Sequence, residues 1–135
     1  YRTYWFDGLL PYLEQDAELD FDIGLQHARE FILNRVQNRG MYFKIGITSH
    51  PLNRWTRADC GYAFYGRDEF QFNHMKILWV SEFSHKRFHD GTGRMEIELI
   101  KLYNEASHPF CINRVGAGGE SPPRGTPQFC YVVFG

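Results

Sequence analysis

Glu96 is the residue whose placement most needs a chemical explanation. On a helix drawn at ~100° per residue over positions 93–106, Glu98, Lys101 and Glu105 share one side. Met95, Leu99, Ile100, Leu102 and Tyr103 spread over the other, and Glu96 falls near the middle of that apolar arc. An inward carboxylate needs an arginine, a network of donors or a metal ion, because an uncompensated buried charge is costly. The second concentration of chemistry is cationic. Arg35, Arg39, Lys44, Arg54, Arg57 and Arg67 all lie between positions 31 and 67, interleaved with Tyr62, Phe64 and Tyr65. Such a stretch is either a solvated helix face beside an aromatic core edge, or a surface that holds a nucleic-acid strand by charge and stacking.

Other chemistries find little support. No GxxxxGK, GxSxG or HExxH run occurs, so P-loop, esterase-elbow and zincin sites are not indicated. The glycines at 116, 118 and 119 lack a strand before and a helix after them and read as a flexible loop. His85 and His89 are four apart without a cysteine pair, the pattern of polar loop histidines rather than a zinc site.

The elements that must position these residues follow from periodicity. Leu25, Ala28, Phe31, Ile32 and Val36 recur at helical spacing across 23–39, with Asp20 or Asp22 as cap and Gly40 as stop. Positions 41–48 switch to period two, with Met41, Phe43, Ile45 and Ile47 on one face and Tyr42, Lys44, Gly46 and Thr48 on the other. Ser49 and Pro51 start a short helix carrying Asn53, Arg54, Trp55 and Arg57. Residues 76–83 read as a strand, 93–106 as the helix of Glu96, and 114–127, with four Gly and three Pro, as a loop that is mobile or functional. Residues 128–134 set Phe129, Tyr131 and Val133 against Cys130, Val132 and Phe134, which predicts a central strand covered on both faces. The acidic opening, with Glu14, Asp16, Glu18, Asp20 and Asp22, reads as a solvated turn and helix start.

These elements fit one α+β domain over 1–135, a small, mainly antiparallel sheet of three or more strands flanked by helices. At 135 residues the chain has room for a single core, and 43% apolar content is too high for disorder. No apolar run approaches the ~20 residues that span a bilayer, so no membrane partner is expected. Cys60, Cys111 and Cys130 form no CxxC pair and read as buried fillers in a reduced, intracellular setting. The opening lacks the character of a signal peptide. A formal charge of −1 gives no global field for nucleic acid, so a neighbouring domain of a longer chain can supply part of any affinity.

The run Tyr42-Phe43-Lys44-Ile45-Gly46-Ile47-Thr48, then Arg54-Trp55, then Glu96 followed by Leu99-Ile100, and last Asn113, resembles the GIY-YIG nuclease superfamily over residues 41–113. In that family a strand ending in a YIG or KIG triplet is followed, eight residues after its Gly, by an arginine on a helix, as Gly46 and Arg54 are here. A glutamate in an E-x-x-L-I pattern and an asparagine follow. The tyrosine of the YIG triplet is replaced by Lys44, and the usual place of the GIY strand is taken by the helix ending at Arg39. A circular permutation answers this, with residues 129–133 as the GIY strand and Tyr131 as its tyrosine; Tyr42 and Tyr4 are the alternatives.

The resemblance implies a metal-dependent endonuclease that hydrolyses DNA, with RNA as a further candidate substrate, by a one-metal mechanism. Glu96 would hold Mg²⁺ or Mn²⁺. Arg54 would fork onto phosphate oxygens, and Tyr131 or Tyr42 would activate or position the attacking water. Lys44 and Asn113 would support the phosphate and the geometry, while Arg35, Arg39, Arg57 and Arg67 would bind the nucleic-acid strand. A non-catalytic nucleic-acid-binding module of the same fold is the nearest rival, and a protein-interaction domain the next.

Overall fold

Helix α1 (Phe21–Arg35) begins where the Asp20 carboxylate accepts the Ile23 N–H at 3.0 Å, so Asp20 rather than Asp22 is the cap. Its last predicted turn tightens into a 3₁₀ segment, Gln37–Arg39, and the chain reverses at Gly40, whose φ of 65° favours glycine. A computed structural model of the chain describes residues 5–15, 18–56, 61–62, 72–83, 91–105 and 122–135. Within them β1 (Trp5–Leu9) and a 3₁₀ turn (Pro11–Glu14) precede α1. There follow β2 (Phe43–Thr48), α2 (Pro51–Thr56), β3 (His74–Glu82), α3 (Gly91–Glu105) and β4 (Pro127–Phe134).

The sheet order is β1-β3-β4-β2. β4 runs antiparallel to both its neighbours, β2 and β3, whereas β1 joins the edge of β3 in parallel. Two of its three pairings are antiparallel, as expected, and the parallel edge makes the four-stranded sheet a mixed one. Its parallel edge strand comes from Trp5–Leu9, ahead of the acidic run; that run, read as a turn and helix start, holds the end of the 3₁₀ turn at Glu14 and the Asp20-capped start of α1. The strand was hidden because it is five residues long and slips register between Phe6 and Gly8, where Gly8 takes a φ of 78°; no alternation survives to be read.

The central position of β4 is the one predicted, and its alternation divides the core in two. Cys130, Val132 and Phe134 pack with α1 and α3 through Ala28, Ile32, Val36, Met95 and Leu99, joined by Phe43 and Ile45 of β2. Tyr131 and Val133 face the other way, onto Trp55, Tyr62, Phe72, Met75 and Ile77. A bulge between Ile77 and Trp79 keeps both Leu78 and Trp79 on the α1/α3 side. There the Trp79 indole lies against Gly24 of α1 and Gly91 of α3. A Cβ at Gly91 would stand 2.6 Å from the indole nitrogen, and one at Gly24 would run into the ring. The start of α3 is pinned to the sheet by Thr92, whose N–H donates to the Ser81 hydroxyl (2.9 Å) and whose hydroxyl donates to the Gln128 carbonyl (2.9 Å). Glu96, one turn later, is thereby aimed at the sheet. Among the described residues no helix is long and apolar enough to cross a membrane.

Candidate functional site

In the antiparallel register of β2 on β4, Gly46 stands opposite Tyr131. The Tyr131 ring lies over Gly46 so closely that a Cβ there would be 2.6 Å from Cζ and nearer still to the hydroxyl. The glycine of the Lys44-Ile45-Gly46 triplet is thus the space that admits Tyr131 onto this face. Lys44 shares the face, two residues along.

Arg54 is delivered to the same place by the turn after β2. The Thr48 hydroxyl accepts the His50 N–H (3.1 Å), and the Arg54 N–H donates to the His50 carbonyl (2.9 Å), which starts the short α2. The hydroxyl seen in this turn belongs to Thr48, where the sequence pointed to Ser49. Trp55 buries itself in the cluster beneath the sheet, leaving the adjacent Arg54 half-buried beside the phenols.

Tyr62 joins the set. Its N–H donates to the Arg54 carbonyl (3.2 Å), which ties it to the end of α2. Its phenol oxygen accepts from Arg54 Nη2 and from the Tyr131 hydroxyl, each at 3.3 Å. The Arg54 guanidinium carbon lies 4.7 Å from the Tyr62 ring centroid, and Lys44 Nζ lies 6.0 Å from it. Burial works against the Arg54 charge, yet the facing phenols Tyr131 and Tyr62 outweigh it and push the arginine's pKa up. Burial, then Tyr62, drives the Tyr131 pKa well above the phenol range, although Arg54 pulls the other way. Tyr131 is therefore a neutral hydrogen-bond donor and not a ready phenolate base.

Of the sequence-predicted residues, the structure brings Arg54, Lys44 and Tyr131 together. Tyr42 is 39% exposed, beyond the start of β2. Glu96 is turned inward as expected and is 5% exposed, but α3 packs on the opposite face of the sheet, and Glu96 makes its charge felt at Cys130. Arg35 ends α1 and Arg39 closes the following 3₁₀ turn, both exposed, in the layer across the sheet from Arg54. They do not extend the Arg54 cluster, because α1 lies on one side of edge strand β2 and Trp55 of α2 packs on the other. Arg57, Arg67 and Asn113 lie outside the described residues, as do Tyr4, Cys60, Phe64, Tyr65, His85, His89, Cys111 and the glycines at 116–119. Cys130 is the buried filler expected of it, its thiol pushed up by burial and then by Glu96.

The donor chemistry of Glu96 suits a hard divalent cation, which takes oxygen ligands and keeps several waters. Its placement does not suit a cation shared with a phosphate at Arg54, since the sheet lies between. Among the described residues, no three His, Cys, Asp or Glu side chains gather as a ready cation site.

Tyr62 was read from the sequence only as one aromatic of the basic stretch. Its spacing, eight residues after Arg54 and directly after Gly61, was the available signal. Compared with models of protein families, with curated proteins and with solved structures, the chain matches none.

Proposed function

We propose that this chain is a nuclease domain of the GIY-YIG type that cleaves phosphodiester bonds of DNA, with the Arg54, Lys44 and Tyr131 face as the half that grips the scissile phosphate. The observation that carries the reading is the Tyr131 ring seated on Gly46 with its hydroxyl in the Arg54 cluster. This is the juxtaposition a circularly permuted GIY strand would produce, and β4 holds the central place such a strand requires.

Arg54 offers two parallel donors to phosphate oxygens and keeps its charge at any working pH. Lys44 adds a point charge on the same face. Tyr131, held neutral, orients a water or a phosphate oxygen by donating its proton in a hydrogen bond. Hydrolysis in this reading calls for Mg²⁺ or Mn²⁺; no step is assigned to the ion, because Glu96 faces the other layer.

That placement of Glu96 favours a second reading, a non-catalytic nucleic-acid-binding module that keeps the phosphate grip alone. Nicking of supercoiled plasmid with Mg²⁺, with Mn²⁺ and with chelator separates the two, Arg54→Ala serving as the blank. Metal-dependent nicking by wild type that is abolished in folded Arg54→Ala supports the nuclease. Salt-sensitive binding without nicking supports the module, and neither binding nor nicking rejects both.

A further inference from the structure

We infer that Tyr62 is the positioning residue of this site, holding the Arg54 guanidinium and the Tyr131 hydroxyl in one fixed arrangement, an inference that rests on the proposed phosphate-gripping role of Arg54. Tyr62 is 1% exposed and is attached to Arg54 at three points. Its N–H holds the Arg54 carbonyl, its oxygen accepts from the guanidinium, and the guanidinium carbon stands over its ring. The same oxygen accepts from Tyr131, so one phenol sets both groups. Its own ring is fixed by an edge contact with Phe72, whose centroid lies 5.9 Å away, and by Tyr131 at 5.9 Å.

An arginine has several rotatable bonds, and a fork aimed at two phosphate oxygens works only if most of that freedom is removed beforehand. α2 is too short to do this; it has six residues. Tyr62 does it from outside the helix. The hydroxyl and the ring act separately: the hydroxyl fixes direction, whereas the ring shields one face and supports the charge.

The test uses the whole chain with ¹⁵N-labelled arginine, comparing wild type, Tyr62→Phe and Tyr62→Leu. In wild type the Arg54 Nη signals should be separate and slow to exchange. In Tyr62→Phe, with unchanged near-UV circular dichroism, they should average and exchange at least roughly fivefold faster, as expected when a charge-assisted bond is lost. Plasmid nicking by the same variant should show kcat lowered about 10- to 100-fold, the range for a misplaced group, with KM within about twofold. Tyr62→Leu should lower kcat further; if it fails to fold, Tyr62→Phe alone decides. Unchanged Arg54 signals in Tyr62→Phe overturn the inference. If wild type cuts no DNA, the nuclease reading fails while the arginine spectra still decide whether Tyr62 holds Arg54.

Discussion

In the proposed function Arg54 is the residue on which the site turns, and its forked, permanently charged guanidinium is the property that no other side chain reproduces. Arg54→Ala should weaken binding of short duplex DNA and reduce the salt slope of the affinity by about one, the signature of one lost phosphate contact. Arg54→Lys should not restore activity, because a point charge cannot reproduce the fork. The pH behaviour follows from the two buried groups on β4. The pKa of Tyr131 is raised by burial and Tyr62, and that of Cys130 by burial and Glu96, so the folded chain keeps protons that the unfolded chain releases. Their contribution is fully present below the unfolded values, near ~8.5 for a thiol and ~10 for a phenol, and is lost as pH rises beyond them. Thermal unfolding followed from pH 7 to 11 should show Tm falling above about pH 9, with Tyr131→Phe removing part of the decline. The periodicity of 128–134 made Tyr131 legible as one face of a central strand. Tyr62 carried one signal, its place eight residues after Arg54 and directly after Gly61, but a single spacing repeats no period and so did not mark it as a partner of Arg54.

At the scale of elements, three glycines record where an aromatic ring occupies the room of a side chain. Gly46 makes space for Tyr131, and Gly24 and Gly91 make space for Trp79. In a helix interior Gly→Ala normally gains ~1 kcal/mol. At Gly24 the added Cβ meets the Trp79 ring, and overpacking of this kind costs about 1–3 kcal/mol. Gly24→Ala should therefore lower stability in urea titration instead of raising it. Gly46→Ala should do the same and also move Tyr131, lowering DNA cleavage more than its loss of stability explains. Helices α1 and α3 and strands β2 and β4 were legible because each repeats its own period over six or more residues, and β3, whose alternation breaks at the bulge between Ile77 and Trp79, was legible from its run of Ile77, Leu78, Trp79 and Val80. β1 was not, because a five-residue strand with a bulge and a left-handed glycine carries no repeat to detect.

The whole molecule is a sheet with a different layer on each side, and this explains why the sequence could order the candidate residues without saying which of them meet. Helical and strand periods show that a side chain points inward, as for Glu96, but they do not show which face of the sheet its helix will cover. That choice is made by contacts distant in sequence, such as Thr92 on Ser81 and Gln128 and the fit of Trp79 between α1 and α3. A net charge of −1 means that the proposed affinity for DNA would come from a local face, so binding should fall steeply between about 50 and 200 mM salt. The most direct measurement of the central claim is plasmid nicking by Arg54→Ala beside wild type, in Mg²⁺, with Tm confirming that both are folded. The account predicts cleavage by wild type and a loss of at least about 100-fold in the variant, the size expected when a transition-state donor is removed. Cleavage by folded Arg54→Ala at the wild-type rate would contradict it.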